Sequence, residues 1–331
     1  MPKRPVPARS GERVRHELVF AKPDLLGALF GEYDRNLVAI ENRLGVYIAA
    51  RGNKLQIEGE EDAAGRARDV LQGLYNRLAA GQTIDSGAVE AVIAMSAEPM
   101  LDGIIRQDVS EPPKVMIRTR KKTIVPRSAN QGLYMEALAR NELIFALGPA
   151  GTGKTYLAVA QAVSQLITGS VDRLILSRPA VEAGERLGFL PGDMKEKVDP
   201  YLRPLYDALY DTLPAEQVER RIASGEIEIA PLAFMRGRTL ANAFIILDEA
   251  QNTTIAQMKM FLTRFGEGSR MVICGDPKQV DLPQPGASGL ADAVERLEGL
   301  EGIAITRFTT ADVVRHPIVG RIVAAYEGPN A

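Results

Sequence analysis

From about residue 129 onward, short apolar runs alternate with segments of helical spacing. The runs lie at 142–148, 172–179, 226–231, 243–250, 271–276 and 303–308. Runs that are apolar throughout predict strands buried on both faces, and the helical segments between several of them predict the crossovers of a mostly parallel sheet. The pattern therefore predicts an α/β domain over 129–331, with helices on both faces of the sheet.

The pattern before residue 81 is that of a smaller domain. It predicts a strand at 16–21, a helix with Leu37, Ile40 and Leu44 on one face, strands at 46–49 and 54–57, and a helix at 60–79. Gly45 can end the first helix. This β-α-β-β-α order predicts a compact α+β domain over 16–80.

The remaining segments are predicted to be an arm and a linker. Residues 1–15 are predicted to form a basic disordered arm, and 81–128 a helical linker followed by a basic segment. Glu111-Pro112-Pro113 is a plausible boundary, because consecutive prolines interrupt regular structure. Within 114–127, apolar residues alternate with charged ones, which is also compatible with a short strand or hairpin.

Composition excludes several classes of protein. The 331 residues are 46% hydrophobic and 25% charged with a net charge of −2, which excludes a generally polybasic protein. A single cysteine, Cys274, excludes a disulfide framework and a cysteine-built metal cluster, and two histidines make a histidine-rich metal site untenable. No apolar run approaches the roughly 20 residues that cross a bilayer, and the N-terminus lacks the apolar core of a secretory signal. We therefore expect a cytoplasmic protein with no membrane partner.

The small net charge hides an uneven distribution. Residues 1–20 carry a net charge of +3 and residues 111–128 carry +5, so the rest of the chain carries −10. Such segregation is typical of proteins with a polyanionic partner. A solubilising tail and linker would have the same charge, and charge alone does not separate the two interpretations.

The strand at 142–147 is followed by a complete phosphate-binding motif. The motif, G-x-x-x-x-G-K-T, consists of Gly148, Pro149, Ala150, Gly151, Thr152, Gly153, Lys154 and Thr155, and it opens a helical run over 155–168. Glycines let backbone N–H groups close around phosphates, and the helix N-terminus favours negative charge. Lys154 is expected at the β- and γ-phosphates and the Thr155 hydroxyl at Mg²⁺. The motif predicts an ATP- and Mg²⁺-binding domain.

Two carboxylates follow another buried strand. Asp248 and Glu249 come directly after Phe244–Leu247, at the sheet edge where ligands bind in open α/β proteins. Asp248 is expected in the Mg²⁺ shell. Glu249 can act as the general base that polarises the attacking water, which predicts a hydrolase rather than a small-molecule kinase.

A third polar segment, Gly275–Pro283, leaves the strand at 271–276 and contains Gln279. This glutamine could contact the γ-phosphate or the attacking water, or the segment could be only a turn-rich loop. The motifs DEAQ (248–251) and GDPKQ (275–279) resemble the nucleotide-binding half of superfamily-one helicases. That resemblance implies that Gln131, upstream of the phosphate loop, contacts adenine.

The N-terminal domain resembles a KH domain, on the segment LFGEYDRNLVAIENRLGVYIAARGNKLQIEGEEDAAGRARDVLQGLY. In that family a G-x-x-G turn between helices clamps single-stranded RNA. The matching turn here is Gly31-Glu32-Tyr33-Asp34, which lacks the second glycine and carries two acidic residues. The resemblance implies the fold, while the altered turn argues against ordinary clamping at this position.

The C-terminal domain resembles the PhoH-like family of ATPases. The matching segments are NQGLYMEAL (130–138), GPAGTGKTYLA (148–158), SRPAVEAGERLGFLPGD (177–193), FIILDEAQNTT (244–254), GDPKQVDLP (275–283) and DVVRHPIV (312–319). The resemblance implies a RecA-like P-loop NTPase, Mg²⁺-dependent ATP hydrolysis and a role in RNA metabolism. It also implies a partner endoribonuclease of rRNA processing.

An arginine that neutralises charge on the γ-phosphate is expected, because phosphoryl transfer gains from one. Arg315 is the first candidate, since it belongs to the C-terminal family motif; the alternatives are Arg178, Arg186, Arg236, Arg238 and Arg307. The chain has one motor core, whereas helicases of this superfamily have two. An arginine from a second subunit is therefore expected, and the resemblance implies a homohexamer.

Two classes of function remain open at this point. In the first, ATP hydrolysis drives RNA binding, remodelling or unwinding, which the basic stretches favour. In the second, the protein is a nucleotide-switched regulatory or assembly ATPase that acts on a protein partner without moving along RNA. The altered G-x-x-G turn favours the second.

Overall fold

The computed structural model describes residues 13–82, 84, 86–97, 115–179, 194–282 and 288–314. These residues form two compact units. The first contains the described residues up to Ala97 together with 127–129, and the second contains 115–126 and the described residues from Asn130 onward. In the described part of the chain, no helix is both long and apolar enough to cross a membrane.

The first unit is a three-stranded antiparallel sheet covered by helices. Its elements are β1 (Arg13–Val19), α1 (Leu26–Phe30), α2 (Arg35–Leu44), β2 (Tyr47–Arg51), β3 (Lys54–Glu60), α3 (Glu61–Ala79) and α4 (Ser86–Ala97). The strand order is β1-β3-β2. Leu37, Ile40 and Leu44 face the core from α2, as their spacing predicts, and Gly45 ends that helix in the left-handed conformation with φ 70°.

The bounds of this unit differ from the predicted ones at both ends. Residues 13–15 belong to β1 rather than to the N-terminal arm, because they pair with residues 58–60 of β3. The unit also extends past residue 80, because Val89, Val92 and Ile93 of α4 are buried in the same core as α3. The predicted linker therefore cannot begin at residue 81.

The turn compared with G-x-x-G lies between α1 and α2. Gly31, Tyr33 and Asp34 all have positive φ, of 73°, 54° and 58°. A Cβ on Gly31 would lie 2.8 Å from the amide nitrogen of Asn36, so this position requires glycine. The Tyr33 side chain is entirely exposed. The likeness to a KH domain stays a prediction.

The second unit is an α/β domain. Its elements are β4 (Ile117–Arg118), β5 (Thr123–Ile124), α5 (Ala129–Arg140), β6 (Leu143–Leu147), α6 (Lys154–Thr168), β7 (Arg173–Arg178), α7 (Met194–Thr212), α8 (Ala215–Ala223), β8 (Ile227–Pro231), β9 (Ala243–Leu247), α9 (Ile255–Leu262), β10 (Arg270–Gly275), α10 (Gly289–Leu297) and β11 (Ile303–Arg307). The six strands β6 to β11 correspond to the six apolar runs. All their pairings are parallel, in the order β11-β6-β10-β9-β7-β8. The predicted P-loop NTPase fold class is thus confirmed.

Helices cover both faces of this sheet. Along β6, Ile144 and Ala146 point into a core formed with α5, α6 and α7, whereas Phe145 and Leu147 point into a core formed with α9 and α10. Since both faces are buried, every position of the strand is apolar, which is why the sequence shows runs rather than alternation.

Residues 115–126, which are the described core of the basic segment before α5, belong to the second unit. They form the hairpin of β4 and β5, whose Ile117 and Ile124 are buried in the core with α6. At its turn, Lys121 Nζ donates to the Tyr210 carbonyl at 2.7 Å and Lys122 Nζ to Asp211 Oδ2 at 2.5 Å. Two of the six basic side chains of this stretch therefore bind α7, and Asp211 offsets the charge of one of them, Lys122.

Candidate functional site

The polar segments singled out in the sequence meet at the carboxyl edge of the sheet. The phosphate loop follows β6, Asp248-Glu249 follows β9, and Asp276 follows β10. Because β10 lies between β6 and β9, and all three are parallel, these segments are neighbours. Their adjacency depends on the strand order, which the sequence does not state.

The phosphate loop needs glycine where it bends most. Gly148 has φ 140°, and a Cβ there would lie 2.6 Å from the Phe308 carbonyl oxygen. Gly153 has φ 85° and caps α6, which begins at Lys154. The first N–H groups of α6 have no partner within the helix and its dipole favours negative charge, so the loop is suited to an anion.

Lys154 lies across the loop that precedes it. Its Nζ donates to the carbonyls of Gly148 at 2.6 Å and Pro149 at 2.8 Å. Burial lowers its pKa, while nearby Asp276 and Asp248 act in the opposite direction. The ammonium is therefore a charge held close to the loop and balanced by carboxylates.

Thr155 and Asp248 connect the phosphate loop to the carboxyl end of β9. Thr155 Oγ1 donates to Asp248 Oδ1 at 2.6 Å, and the Asp248 backbone N–H donates to the Ser177 carbonyl at 2.9 Å. Burial raises the pKa of Asp248, and the hydrogen bond from Thr155 opposes that rise. Mg²⁺ takes oxygen ligands and few of them from protein, so this hydroxyl and carboxylate fit it.

Glu249 is held by contacts to both of its carboxylate oxygens. Arg178 Nη2 lies 3.2 Å from Oε1, and Gln251 Nε2 donates to Oε2 at 2.6 Å. The Glu249 backbone has φ 51°, a conformation that non-glycine residues seldom adopt and that is common at functional sites. The side chain is 38% exposed, so it can meet a water molecule.

Gln279 lies in the loop that follows β10. Its backbone N–H donates to the Asp276 carbonyl at 3.0 Å, and Asp276 Oδ1 accepts from the Lys278 N–H at 3.0 Å, which makes a tight turn. The Gln279 side chain is exposed and lines the same cleft as Lys154 and Glu249.

Two side chains of α5 support the phosphate loop. Gln131 Nε2 donates to the Thr152 carbonyl at 2.9 Å, and the Tyr134 hydroxyl donates to the Lys154 carbonyl at 3.1 Å. Gln131 is buried, and its contact with adenine stays a prediction.

Cys274 lies beside Tyr134. Burial raises the pKa of its thiol to about 12, so the residue is a small buried side chain that stays protonated.

Together these groups form a cleft of about 570 Å³. Its lining joins the phosphate loop, the ends of the neighbouring strands and one side of α7: Ala150, Gly151, Gly153, Lys154, Thr155, Tyr156, Arg178, Pro204, Asp207, Ala208, Asp211, Asp248, Glu249, Gly275, Asp276 and Gln279. The size suits a small-molecule ligand. Cations at Lys154 and Arg178 face carboxylates, an arrangement suited to a phosphate chain that carries Mg²⁺.

Comparisons with known proteins agree with this geometry. The profile of the PhoH family, described as "PhoH-like protein", matches residues 123–327. This span includes every element of the cleft. The chain belongs to the PhoH-like family.

Its relatives extend the similarity beyond the P-loop domain. A PhoH-like protein of Bacillus subtilis is 49% identical over 308 residues, which are 93% of this chain and 96% of the relative. A PhoH-like protein of Mycobacterium tuberculosis is 48% identical over 320 residues, 96% of this chain and 90% of the relative. Protein PhoH of Escherichia coli is 50% identical over 205 residues, 61% of this chain and 58% of the relative. The family is P-loop NTPase-like, in keeping with the cleft.

Of the candidate arginines that the structure describes, Arg178 is the one that lies in the cleft. Arg238 forms two hydrogen bonds to Glu228, at 2.6 and 2.7 Å, and Arg307 pairs with Glu298 at 2.9 Å. Arg186 and Arg315 lie outside the described residues, and Arg236 is exposed.

Sequence reasoning gave no role to Gln251 or Asp312. Gln251 belongs to the DEAQ motif, so the sequence shows that it lies near Asp248 and Glu249. A side-chain amide at that position does not by itself indicate a catalytic role. Asp312 accepts hydrogen bonds from Asn130 and from the Thr309 N–H. The spacing of Thr309 and Asp312 is that of a capping box, which the sequence could have shown, but no local pattern connects Asp312 to Asn130.

Proposed function

We propose that this protein hydrolyses ATP with Mg²⁺ in the cleft at the carboxyl edge of the sheet. The observation that carries the proposal is the hydrogen bond of 2.6 Å from Thr155 to Asp248. It brings the hydroxyl that ends the phosphate loop against a carboxylate at the end of β9. Two oxygen ligands beside an anion-binding loop are what a Mg²⁺–nucleotide requires.

Each residue of the cleft has a distinct task in this proposal. Lys154 moves its ammonium from the loop carbonyls to the β- and γ-phosphates, where it offsets negative charge. Thr155 and Asp248 hold Mg²⁺, which when bound neutralises charge on the phosphate oxygens. The N–H groups at the start of α6 bind the phosphates and orient the chain for in-line attack.

Glu249 is the general base of the reaction. It accepts a proton from the attacking water as the bond from water oxygen to the γ-phosphorus forms and the bond to the bridging oxygen breaks. Arg178, which contacts Glu249 Oε1, is also within the cleft and can offset charge on the γ-phosphate. Gln279 is placed to contact the water or the γ-phosphate.

The test is a comparison of Lys154→Ala and Glu249→Gln. The first variant is expected to lose ATP binding. The second is expected to keep binding and to hydrolyse ATP about a hundredfold more slowly or worse, as loss of a general base does. Fluorescent-analogue binding and phosphate release measure the two effects. Glu295→Gln, on the exposed surface of α10, is the matched control, and unimpaired turnover in Glu249→Gln would rule out the assigned base.

Hydrolysis is proposed to be coupled to single-stranded RNA or rRNA. Support comes from the family resemblance and from the β4–β5 hairpin, where Arg118 and Arg120 are exposed. ATP turnover is to be measured with and without single-stranded RNA across a range of salt. For single-stranded RNA, the plot of log K against log salt concentration has a slope of roughly −0.7 for each phosphate contact. The double variant Arg118→Ala with Arg120→Ala should therefore make this slope less steep by about 1.4. Absence of both RNA stimulation and salt-sensitive binding would exclude RNA coupling.

Those negative results would favour the second candidate, a nucleotide-switched ATPase that acts on a protein partner. Two observations support it. Asp211 pairs with Lys122 and offsets part of the positive charge of the hairpin, and Glu32 and Asp34 place negative charge at the turn compared with G-x-x-G. The partner endoribonuclease implied by the family resemblance belongs with this candidate as well as with the first.

We also propose a cytoplasmic homohexamer in which Arg315 acts on ATP bound to a neighbouring subunit. Light scattering with ATP and Mg²⁺ tests the assembly, and a strictly monomeric active ATPase would contradict it. Mixing tests the arginine: Arg315→Ala subunits and Lys154→Ala subunits, each inactive alone, should recover turnover when combined. No recovery in mixed hexamers would exclude action between subunits.

A further inference from the structure

Gln251 connects the two sides of the cleft through its side-chain amide. Its Nε2 donates to Glu249 Oε2 at 2.6 Å, and its Oε1 accepts from the Asp276 backbone N–H at 3.1 Å. The residue is 1% exposed. One buried amide therefore joins the carboxylate proposed as the base to the start of the loop that carries Gln279.

The orientation of this amide is determined by its partners. A backbone N–H can only donate, so Oε1 must face Asp276, and Nε2 is then left to face Glu249. The Gln251 carbonyl accepts from Ser288 Oγ at 2.9 Å, which holds the main chain as well. A Cβ on Gly275 would lie 2.8 Å from Gln251 Oε1, so glycine at the end of β10 leaves the room that the amide occupies.

We infer that Gln251 is a positioning residue for hydrolysis, which orients Glu249 and couples it to the 276–279 loop. The inference rests on the proposed function, because it assigns Gln251 a task in the same reaction. Glu249 has a left-handed backbone and a partly exposed side chain. Without the amide, its Oε2 loses a directed donor, and the carboxylate can turn away from the water.

If Gln251 only anchored the loop, replacing another buried residue that anchors the loop should have the same effect on kcat. Asn252, the next residue, also anchors the loop: its Oδ1 accepts from the Asp281 N–H at 2.8 Å and its Nδ2 donates to Asp281 Oδ2 at 3.3 Å. Asn252 is buried like Gln251, at 6% exposure, and these bonds do not involve Glu249. Loss of loop anchoring alone should affect variants of both residues alike.

The experiment compares Gln251→Met, Gln251→Glu and Asn252→Leu in the full chain. Methionine keeps the volume and removes both hydrogen bonds. Glutamate can still accept from the Asp276 N–H but cannot donate to Glu249 in its ionised form. We expect kcat to fall about 10- to 100-fold in both Gln251 variants, the size of effect expected when a catalytic group is misplaced by about 1 Å. KM and the Kd for the Mg²⁺–nucleotide should stay within about twofold of wild type.

A double variant shows whether Gln251 acts through Glu249. Glu249→Gln removes the carboxylate that Gln251 orients, so adding Gln251→Met should slow single-turnover hydrolysis by less than twofold further. A full additional 10- to 100-fold loss would overturn the inference. So would wild-type kcat in Gln251→Met and Gln251→Glu, or an equal fall of kcat in Asn252→Leu. Absence of Mg²⁺-dependent turnover in the wild-type protein would instead remove the proposed function, and this inference with it.

Discussion

Asn130 Nδ2 donates to Asp312 Oδ2 at 2.9 Å, which joins the start of α5 to the turn after β11 across 182 residues of sequence. The same carboxylate oxygen accepts from the Thr309 N–H at 2.7 Å. Two residues beyond Asp312, the Val314 N–H donates to the Gly151 carbonyl at 2.9 Å. The buried Asp312 carboxylate thus fixes the segment that follows β11 and contacts the phosphate loop.

Replacing Asp312 with alanine should therefore affect both stability and nucleotide binding. The Asn130 amide and the Thr309 N–H would lose their acceptor, and because both hydrogen bonds are only partly buried we expect each loss to cost about 0.5–1.5 kcal/mol. We expect a lower Tm and a Kd for ATP raised at least severalfold. Glu298→Ala, which removes an exposed pair with Arg307, is the control and should change neither quantity measurably. Wild-type affinity in a folded Asp312→Ala protein would show that this segment does not support the loop.

Gly148→Ala should remove ATP binding through a steric clash in the phosphate loop. The new Cβ would lie 2.6 Å from the Phe308 carbonyl oxygen, and the backbone φ of 140° is unfavourable for alanine. Gly169→Ala is the matched control: its φ is 72°, and a Cβ there meets nothing within 4 Å. Calorimetric titration of both variants should show binding lost in the first and retained in the second. Binding in Gly148→Ala would mean that the loop can move away from Phe308.

Asp248→Asn should make nucleotide binding less dependent on Mg²⁺. The amide keeps the acceptor for Thr155 but removes the negative charge that binds the cation. We expect the affinity for Mg²⁺–ATP to fall about tenfold or more, while the affinity for ATP in EDTA is unchanged or improved. Thr263→Val, at the end of α9, serves as control, since its hydroxyl donates only within that helix. Equal losses with and without Mg²⁺ would contradict the assignment of Asp248.

The pair of Glu228 and Arg238 should make a pH-dependent contribution to stability. The hydrogen bonds from Arg238 lower the pKa of Glu228. A carboxyl with a lowered pKa stabilises the folded state above its unfolded pKa, about 4.3, and this contribution is lost as pH falls through the folded value. Because the side chains are 30% and 35% exposed, we expect at most about 1 kcal/mol.

The measurement is the difference in unfolding free energy between wild type and Glu228→Gln across pH. It should be present at pH 7 and shrink toward pH 3. Glu219→Gln, an exposed residue of α8, is the control substitution. A difference that stays constant down to pH 3, or grows as pH falls, would exclude this linkage.

The local parts of the fold and of the site were predictable because their determinants are close in sequence. The six apolar runs of the sheet, the glycines of the phosphate loop and the end of α2 at Gly45 each depend on neighbouring residues. Asp248 and Glu249 could be proposed as site residues for the same reason: they follow a buried strand directly. Their placement beside Thr155 also needed the strand order.

The parts that were missed depend on contacts between distant segments. Arg178 was only one of five alternatives to Arg315 in the sequence. It meets Glu249 because β7 pairs with β9, with Ser177 opposite Leu247. In the first unit, the boundary at residue 80 was wrong because α4 completes the core of α3. The helix could be seen in the sequence, but its packing partner could not.

The contact between Lys122 of the β4–β5 hairpin and Asp211 of α7 concerns the same ammonium that a phosphate group of RNA would bind. Lys122 binds Asp211, which also accepts from the Tyr156 hydroxyl at 2.8 Å, and Tyr156 directly follows Thr155. A phosphate group that bound Lys122 would compete with Asp211 for the same ammonium. Asp211 and Tyr156 both line the cleft, so competition for Lys122 at the surface would change the contacts of a carboxylate that borders the proposed nucleotide site.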